Sequence, residues 1–395
     1  MSRKISLGAA IGLIAIAIAV TVSVTLTVSS EMYNSLLSYL PEKIQTYSQL
    51  EEISNIVKAN YYGSIDEANL ESAIGNGYIN GLNDKYSVFM TADEYAEYDS
   101  EIQGKMKGIG IKYSKSGNKI KIDRVYEGSP AQVSGLSKGD FIVAFDGEAI
   151  TKDNYNEMVS KLEGDKLSTV NLTYRSGDTE KTVSVAKGYE ARSVTTHSDG
   201  VIGYISISDF YSTTPSQVKE AVDKFVSQGA TGLILDLRNN SSTNFDAAIK
   251  VLDIFVPVAE GTDAVVTVID SDGNTISSYA SNADAVNLPV MVLVNENTLG
   301  GAELIACDLR NFGKAEIIGT KTAGAGVMQE IFKLSDGSAI RLSVGEIIPY
   351  RGESYNGVGV APNYEVEQQN ATDDILSDNV YQYAVSVLNK SNEEG

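Results

Sequence analysis

The sequence predicts an α/β domain built on a mixed sheet with flanking helices. Ahead of it come a smaller β-rich module, an N-terminal helical region and one transmembrane helix. Three observations predict this. Between about 200 and 365, short apolar runs alternate with helical periodicity, the pattern of strands covered by helices on both faces. Between about 104 and 188 the apolar period shortens to two, and Gly and Asp break the chain into short strands. Residues 5 to 30 carry no charge, a run long enough to cross a hydrocarbon core of about 30 Å.

Composition bounds the partners. With 31 Lys+Arg against 52 Asp+Glu, the 395-residue chain carries a net charge of −21, and no basic cluster offsets it. A phosphate backbone would be repelled, so no nucleic-acid partner is expected. The single Cys307 excludes an intrachain disulfide or a cysteine-based zinc site, and the single His197 excludes a multi-histidine metal site. No cofactor or metal is expected. His197 sits in a polar run, Thr195 to Asp199, and reads as an exposed loop residue. By elimination, any serine-type hydrolysis would need a lysine base.

Arg3 and Lys4 precede the uncharged run, which ends in Val28-Ser29-Ser30, a poor cleavage site. The pattern predicts an uncleaved signal anchor over 1–30, a single-pass cell-membrane location, and an extracytoplasmic bulk. Residues 31–46 read as a stalk. A helical region over 47–103 follows, with Leu50, Ile53, Ile56 and Val57 on one face and Leu70, Ala73, Ile74 and Tyr78 on another.

The β-rich module spans 104–188. Gly108-Ile109-Gly110-Ile111 leads to a turn at Ser116-Gly117-Asn118 and an alternating strand with Ile120, Ile122 and Val125. Gly128-Ser129-Pro130-Ala131 then starts a helix, and Lys138-Gly139-Asp140-Phe141-Ile142 enters the next strand. A second helix is predicted over Asn154–Leu162. The α/β domain spans 189–366: strands at Gly203–Ile207, Thr231–Leu237, Val265–Ile269 and Val290–Val294, and helices at Pro215–Ser227, Phe245–Phe255 and Gly301–Phe312. The segment 367–395 is a C-terminal helix and tail, amphipathic over Ile375–Leu388 and expected to dock on the core.

The ordered blocks of 104–188, the Gly-Ile-Gly-Ile loop, the Gly-Ser-Pro-Ala helix and the Lys-Gly-Asp-x-Ile strand entry, resemble a PDZ domain. That resemblance implies β-augmentation, in which a peptide adds to a sheet edge and main-chain N–H groups hold its terminal carboxylate. Gly108, Ile109, Gly110 and Ile111 would bind it, with the two isoleucines lining a pocket for its last side chain. Residues 47–366 as a whole are similar to the C-terminal processing (tail-specific) serine peptidases. The similarity rests on Thr298 to Glu303, Thr322 to Gln329, Asp336 to Leu342 and Gly357 to Asn363. That family uses a Ser/Lys dyad in which the lysine follows 25 residues after the serine.

Where the resemblance puts the serine, this chain has Gly300. Where it puts the lysine, it has Ala325. Two further departures accompany these. The family loop Asp-Leu-Arg-x-Asn-Pro-Gly-Gly ends here as Asn240-Ser241-Ser242-Thr243, which removes glycines that let the main chain donate to an oxyanion. Asn311 stands where an Asp usually falls. Glu303 and Gln329 match the family as accessory residues, and Ser242, Thr243 and Gly301 mark the oxyanion region. The helix start at Gly300–Gly301 is expected to remain suited to an acyl oxygen or carboxylate. Thr298 and Lys321 are weak substitutes for the missing pair, since a one-ångström misplacement costs about 100-fold in rate.

The resemblance and its departures together predict a membrane-anchored pseudopeptidase that binds peptides or protein C-termini without cleaving them. It would work beside an active peptidase relative or as a homo-oligomer. Two alternatives stand: an active endopeptidase with a relocated dyad, acting near the C-termini of exported proteins, and a structural subunit with no peptide ligand.

Overall fold

The computed structural model describes residues 48–126, 128–162, 168–257, 264–281, 285–369 and 374–394. The predicted membrane anchor and stalk lie outside these residues. Among the described residues no helix is long and apolar enough to cross a membrane.

The chain divides into two compact units, Met1–Glu71 and Ser72–Gly395. In the first, a helix over 48–60 is followed by the start of the helix Glu67–Asn80, with Lys58 and Glu67 paired at 3.1 Å. Leu50, Ile53 and Ile56, expected to share a covered face, are exposed.

The second unit holds the β-rich module and the α/β domain. The module packs the strands Ile111–Ser116, Lys119–Val125, Phe141–Phe145, Thr169–Ser176 and Thr179–Ala186 into one antiparallel sheet. Ile120, Ile122, Ile142, Phe145 and Leu172 fill its core, each completely buried. Fully burying such a side chain is worth about 1.5–3 kcal/mol. Two short helices, Pro130–Val133 and Tyr155–Ser160, close it. The second is shorter than Asn154–Leu162 predicts, because Asn154 makes no side-chain cap and the chain turns out at Lys161. The segments entering and leaving the module pair with each other, Lys105–Met106 against Tyr189–Glu190.

The α/β domain carries two sheets where one was expected. The first has six strands in the order Val194–Asp199, Ile202–Ile207, Gly232–Asp236, Val290–Val294, Ala315–Gly319 and Tyr364–Glu365. All its pairs are parallel except the first. Successive residues of the central strands face opposite ways. Leu233, Leu235, Val290, Val292 and Val294 meet the helices Thr214–Ser227, Phe245–Leu252 and Gly301–Asn311. Ile234, Met291 and Leu293 instead meet Val380, Tyr381, Ala384 and Leu388 of the C-terminal helix Asn379–Glu394. The tail therefore docks on its own sheet. His197, expected in an exposed loop, lies half-buried in the edge strand Val194–Asp199, whose polar residues pair with Ile202–Ile207.

The second sheet centres on the long strand Ala339–Pro349, which pairs with Val266–Ile269 and Val327–Lys333, and Thr275–Tyr279 pairs in turn with Val266–Ile269. Its remaining strand, Val88–Met90, comes from the region expected to be wholly helical, and pairs Val88 with Arg341. The run Val88-Phe89-Met90 is too short to show a strand period, so only the partner strand reveals it.

Candidate functional site

Gly300 sits at the turn from the strand Val290–Val294 into the helix Gly301–Asn311, with φ 66° and ψ −118°. A strained turn from strand to helix is the backbone that presents a nucleophile at the head of a helix. Here no side chain is presented. A Cβ at 300 would lie 2.6 Å from the carbonyl oxygen of Ser242, inside contact distance. That same oxygen accepts from the N–H of Gly301 at 3.0 Å. Next to it the Leu299 N–H donates to the Asn240 carbonyl at 2.9 Å. The 240–242 main chain thus lies along 299–301, and the donor an oxyanion would need is already in use. The expectation that the helix start stays open to an acyl oxygen or carboxylate is corrected by this contact. The cause is the Asn240-Ser241-Ser242 sequence: Asn240 Oδ1 accepts from the Ser242 N–H at 3.1 Å, a local turn that carries the Ser242 carbonyl inward.

Glu303 is completely buried and organises the surrounding loops. Its Oε2 accepts from the N–H groups of Gly300 at 3.0 Å and Ala325 at 2.7 Å. Its Oε1 accepts from the Gly324 N–H at 2.6 Å and from the Thr322 hydroxyl. The bond back to Gly300 is half of a capping box, and Gly300 has no side chain for the other half. Ala325 is thereby fixed beside the helix start and is 2% exposed. Gln329 lies on the strand Val327–Lys333. Its amide donates to the Val327 carbonyl at 2.6 Å, and its Oε1 is buried with no hydrogen-bond partner among the described residues.

The two weak substitutes do not come together as a dyad. Thr298 is completely buried; its hydroxyl accepts from the Asn295 N–H and donates to the Leu237 carbonyl, each at 3.0 Å. This hydroxyl pins a turn and has no lysine among its partners. Lys321 is exposed on the loop that follows the strand Ala315–Gly319. The lysine near this site that sequence reasoning missed is Lys85. Its ammonium lies 4.7 Å from the Tyr86 ring centroid. Its pKa is raised first by the Tyr86 side chain, with Glu303 a further contributor.

Asn311 has a structural reason to be an amide. Its Nδ2 donates to the Tyr350 carbonyl at 2.9 Å, which an Asp carboxylate has no hydrogen to do. One turn earlier Asp308 Oδ1 accepts from the Tyr350 N–H at 2.8 Å, so two side chains bracket one residue. Burial drives the Asp308 pKa well above the ordinary carboxylate range. Cys307, beside it, is buried and its thiol is pushed up to about 11, which leaves it unreactive.

A cavity of about 560 Å³ lies along the β-rich module and is lined by Gly108, Ile109, Gly110, Ile111, Arg124 and Arg192 among others. Gly108 and Gly110 have φ of 75° and 81°. A Cβ on Gly110 would come 2.2 Å from that of Ser129, so only glycine fits. Ile109 is 1% exposed and belongs to the module's core, so it offers main chain to the cavity; Ile111 is half-buried. Tyr189 stands across from the loop, its phenol pushed up to about 12 by burial and then by Tyr126.

Residues 201–366 match the sequence profile of peptidase family S41, and residues 108–186 match that of the PDZ domain. The chain is 28% identical over 323 residues to a probable CtpA-like serine protease of Staphylococcus haemolyticus, which spans 82% of this chain and 65% of that protein. A protein of the same description from Staphylococcus aureus is 28% identical over 324 residues, covering 81% and 64%. The chain thus spans just under two thirds of the length of these relatives. A crystal structure described as a putative S41 protease from Bacteroides fragilis aligns with a TM-score of 0.52 at 19% identity, over 84% of this chain and 91% of that one. This last likeness is one of fold.

Proposed function

Since this chain belongs to the CtpA-type peptidases of family S41, we propose that it is a pseudopeptidase, which binds peptides or protein C-termini through its PDZ domain and leaves them uncut. One observation carries this reading: the Ser242 carbonyl occupies the Gly301 N–H at the place where the family's nucleophile and oxyanion would sit. A hydroxyl nucleophile needs a base within hydrogen-bond reach, and neither Gly300 nor Ala325 supplies a functional side chain. The unpartnered Gln329 Oε1 is consistent with this, since it is an acceptor left without a donor four residues after the lysine position.

The binding half of the proposal rests on the Gly108–Ile111 loop. Its two left-handed glycines line a cavity whose wall also includes Arg124 and Arg192. A peptide carboxylate there would meet N–H donors and positive charge together. Membrane attachment through residues 5–30 and an extracytoplasmic location are part of the same proposal, supported by the uncharged run behind Arg3 and Lys4. Assembly with an active relative, or with further copies of this chain, would give such a protein a regulatory role.

The test pairs two assays on the full chain. Incubation with an unfolded protein bearing an apolar C-terminal tail should yield no cleavage. Cleavage that disappears in Thr298→Ala, Lys321→Ala or Lys85→Ala would overturn the proposal in favour of a relocated dyad. Peptides with free C-termini should bind more tightly than their amidated forms, with the amide resonances of Gly108 to Ile111 moving on titration. Equal, negligible binding of both leaves the structural-subunit alternative.

A further inference from the structure

We propose that the pocket beside the 241–244 loop is a second ligand site, which takes a peptide carboxylate on Arg341. The cavity measures about 230 Å³ and is walled by Tyr98, Ser241, Thr243, Asn244 and Arg341, with Glu101 and Asp209 also on its lining. No residue of the Gly108–Ile111 loop lines it, although it shares Glu101, Asp209 and Tyr211 with the cavity beside that loop.

Arg341 reaches this pocket from the long strand Ala339–Pro349, in the register that sets it opposite Val88. Two of its donors fix the plane of the guanidinium: Nε donates to the Tyr86 carbonyl at 3.2 Å, and Nη1 donates to the Thr243 hydroxyl at 3.4 Å. A guanidinium has five N–H donors, so others remain for a ligand. The Tyr98 ring lies against it, 5.7 Å from centroid to guanidinium carbon. Burial raises the Tyr98 phenol, with Arg341 and Thr243 pulling the other way, and the net rise keeps it a neutral donor.

Arg341 has no carboxylate partner among the described residues, in a chain with 52 acidic against 31 basic side chains. The contrast with Arg238 is informative. Arg238 is buried between Asp236 at 2.6 Å and Asp378 at 2.8 Å, as a structural arginine in this fold is. Arg341 is half-buried, held in one orientation by neutral groups, and faces a cavity. Its fork suits two carboxylate oxygens at once, and the Thr243 and Tyr98 hydroxyls add donors beside it.

Glu101 and Asp209 select among anions. The Glu101 pKa is raised by burial first, then by the charges of Asp209 and Glu97, so this wall disfavours a compact multiply charged anion. A single carboxylate carried on a neutral or basic peptide meets Arg341 without bringing further negative charge. The carboxylate is either the chain terminus or an Asp or Glu side chain, since both present the same two oxygens.

The experiment is an NMR titration of the full chain labelled with ¹⁵N-arginine and ¹³C-methyl threonine. The Arg341 Nε–H resonance is identified by its loss in Arg341→Lys, and Thr243 supplies the methyl reporter. Three probes are used: N-acetyl-Ala-Ala-Ala with a free terminus, the same peptide amidated, and amidated N-acetyl-Ala-Asp-Ala. At least one carboxylate-bearing peptide should shift both reporters, and the amidated trialanine should shift neither. Response to the free trialanine identifies the terminus as ligand; response to the Asp peptide identifies the side chain. In Arg341→Gln the Thr243 methyl should titrate about tenfold more weakly. Reporters that stay still with both carboxylates, or move equally with the amidated trialanine, overturn the proposal. Should the Gln variant misfold, the wild-type titration alone decides. A shift at Gly108 to Ile111 with none at Arg341 would leave the PDZ proposal intact and remove this one.

Discussion

The N–H of Gly301 donates to the carbonyl of Ser242 at 3.0 Å, closing the helix start that a serine peptidase would leave open. A free N–H at the head of a helix is a ready anion donor because its dipole is unopposed. Here a carbonyl from the neighbouring loop has taken it. The proposed loss of chemistry would therefore rest on a main-chain path as well as on two side chains.

Gly300→Ser tests that statement. The new Cβ would meet the Ser242 carbonyl at 2.6 Å and would have to adopt φ 66°. Strain of this kind costs on the order of 1–3 kcal/mol. Chemical denaturation should show a loss of that size. The double variant Gly300→Ser with Ala325→Lys should remain without measurable cleavage of a tailed unfolded substrate. Turnover above background in the double variant would show that the loop moves aside, and that the block is only in the side chains.

The reach of sequence reasoning differs between these two layers. The α/β pattern, the docking of the tail and the identities of Gly300 and Ala325 were legible because they depend on apolar periodicity and on residue identity. Leu233 and Leu235 alternate with Ile234 as the two covered faces require. The Ser242 carbonyl was not legible, since a main-chain oxygen has no letter of its own and its position follows from the path of the Asn240-Ser241-Ser242 turn. The strand Val88–Met90 was hidden for a related reason: three residues carry no period, and only the register with Arg341 defines them. Arg341 lay in plain view within the Asp336–Leu342 block, but its lack of an acidic partner is a spatial fact.

Glu303 should be the most costly polar side chain to alter in this region. Four donors converge on its two buried oxygens, three of them main-chain N–H groups. Hydrogen bonds to a charged group contribute about 1.5–3 kcal/mol each, though such values do not add. Glu303→Gln keeps the shape but turns one acceptor into a donor facing donors. Stability should fall by roughly 3 kcal/mol or more. A thermal midpoint within a degree of wild type would mean that the 322–325 loop does not depend on this carboxylate.

Asp308 gives a pH signature with a definite sign. Burial raises its pKa well above the ordinary 3.8, so the native state holds the proton more tightly than the unfolded state does. Stability is therefore unaffected below about pH 4 and falls as pH rises from there through the folded pKa. Its Oδ2 has no partner among the described residues, and the same is true of the buried Tyr355 hydroxyl. Asp308→Asn keeps an acceptor for the Tyr350 N–H and removes the titration. The variant should match wild type near pH 4 and exceed it increasingly toward pH 8, by on the order of 1–3 kcal/mol. Thermal midpoints collected across that range decide it; a constant offset at every pH would show that the carboxyl does not titrate in the fold.

Asp378 joins the C-terminal helix to the parallel sheet and supplies the last prediction. Its Oδ1 accepts from the N–H groups of Val380 at 2.8 Å and Tyr381 at 3.0 Å, capping the helix. Its Oδ2 accepts from Arg238 at 2.8 Å and from Gln368 at 2.9 Å. Asp378→Ala removes the cap, worth about 1 kcal/mol, and leaves a buried guanidinium with Asp236 as its remaining counter-charge. Breaking one side of a buried pair typically costs about 3–5 kcal/mol, and the remaining Asp236 bonds place the expected loss near the lower end. The helix buries Val380, Tyr381, Ala384 and Leu388 against the sheet, so its amides should be protected in wild type. In the variant, hydrogen exchange over Asn379–Glu394 should accelerate more than exchange in the strands Gly232–Asp236 and Val290–Val294. Uniform acceleration across all three would indicate that the helix and sheet unfold as one unit, and that Asp378 stabilises the whole domain rather than the docking of its tail.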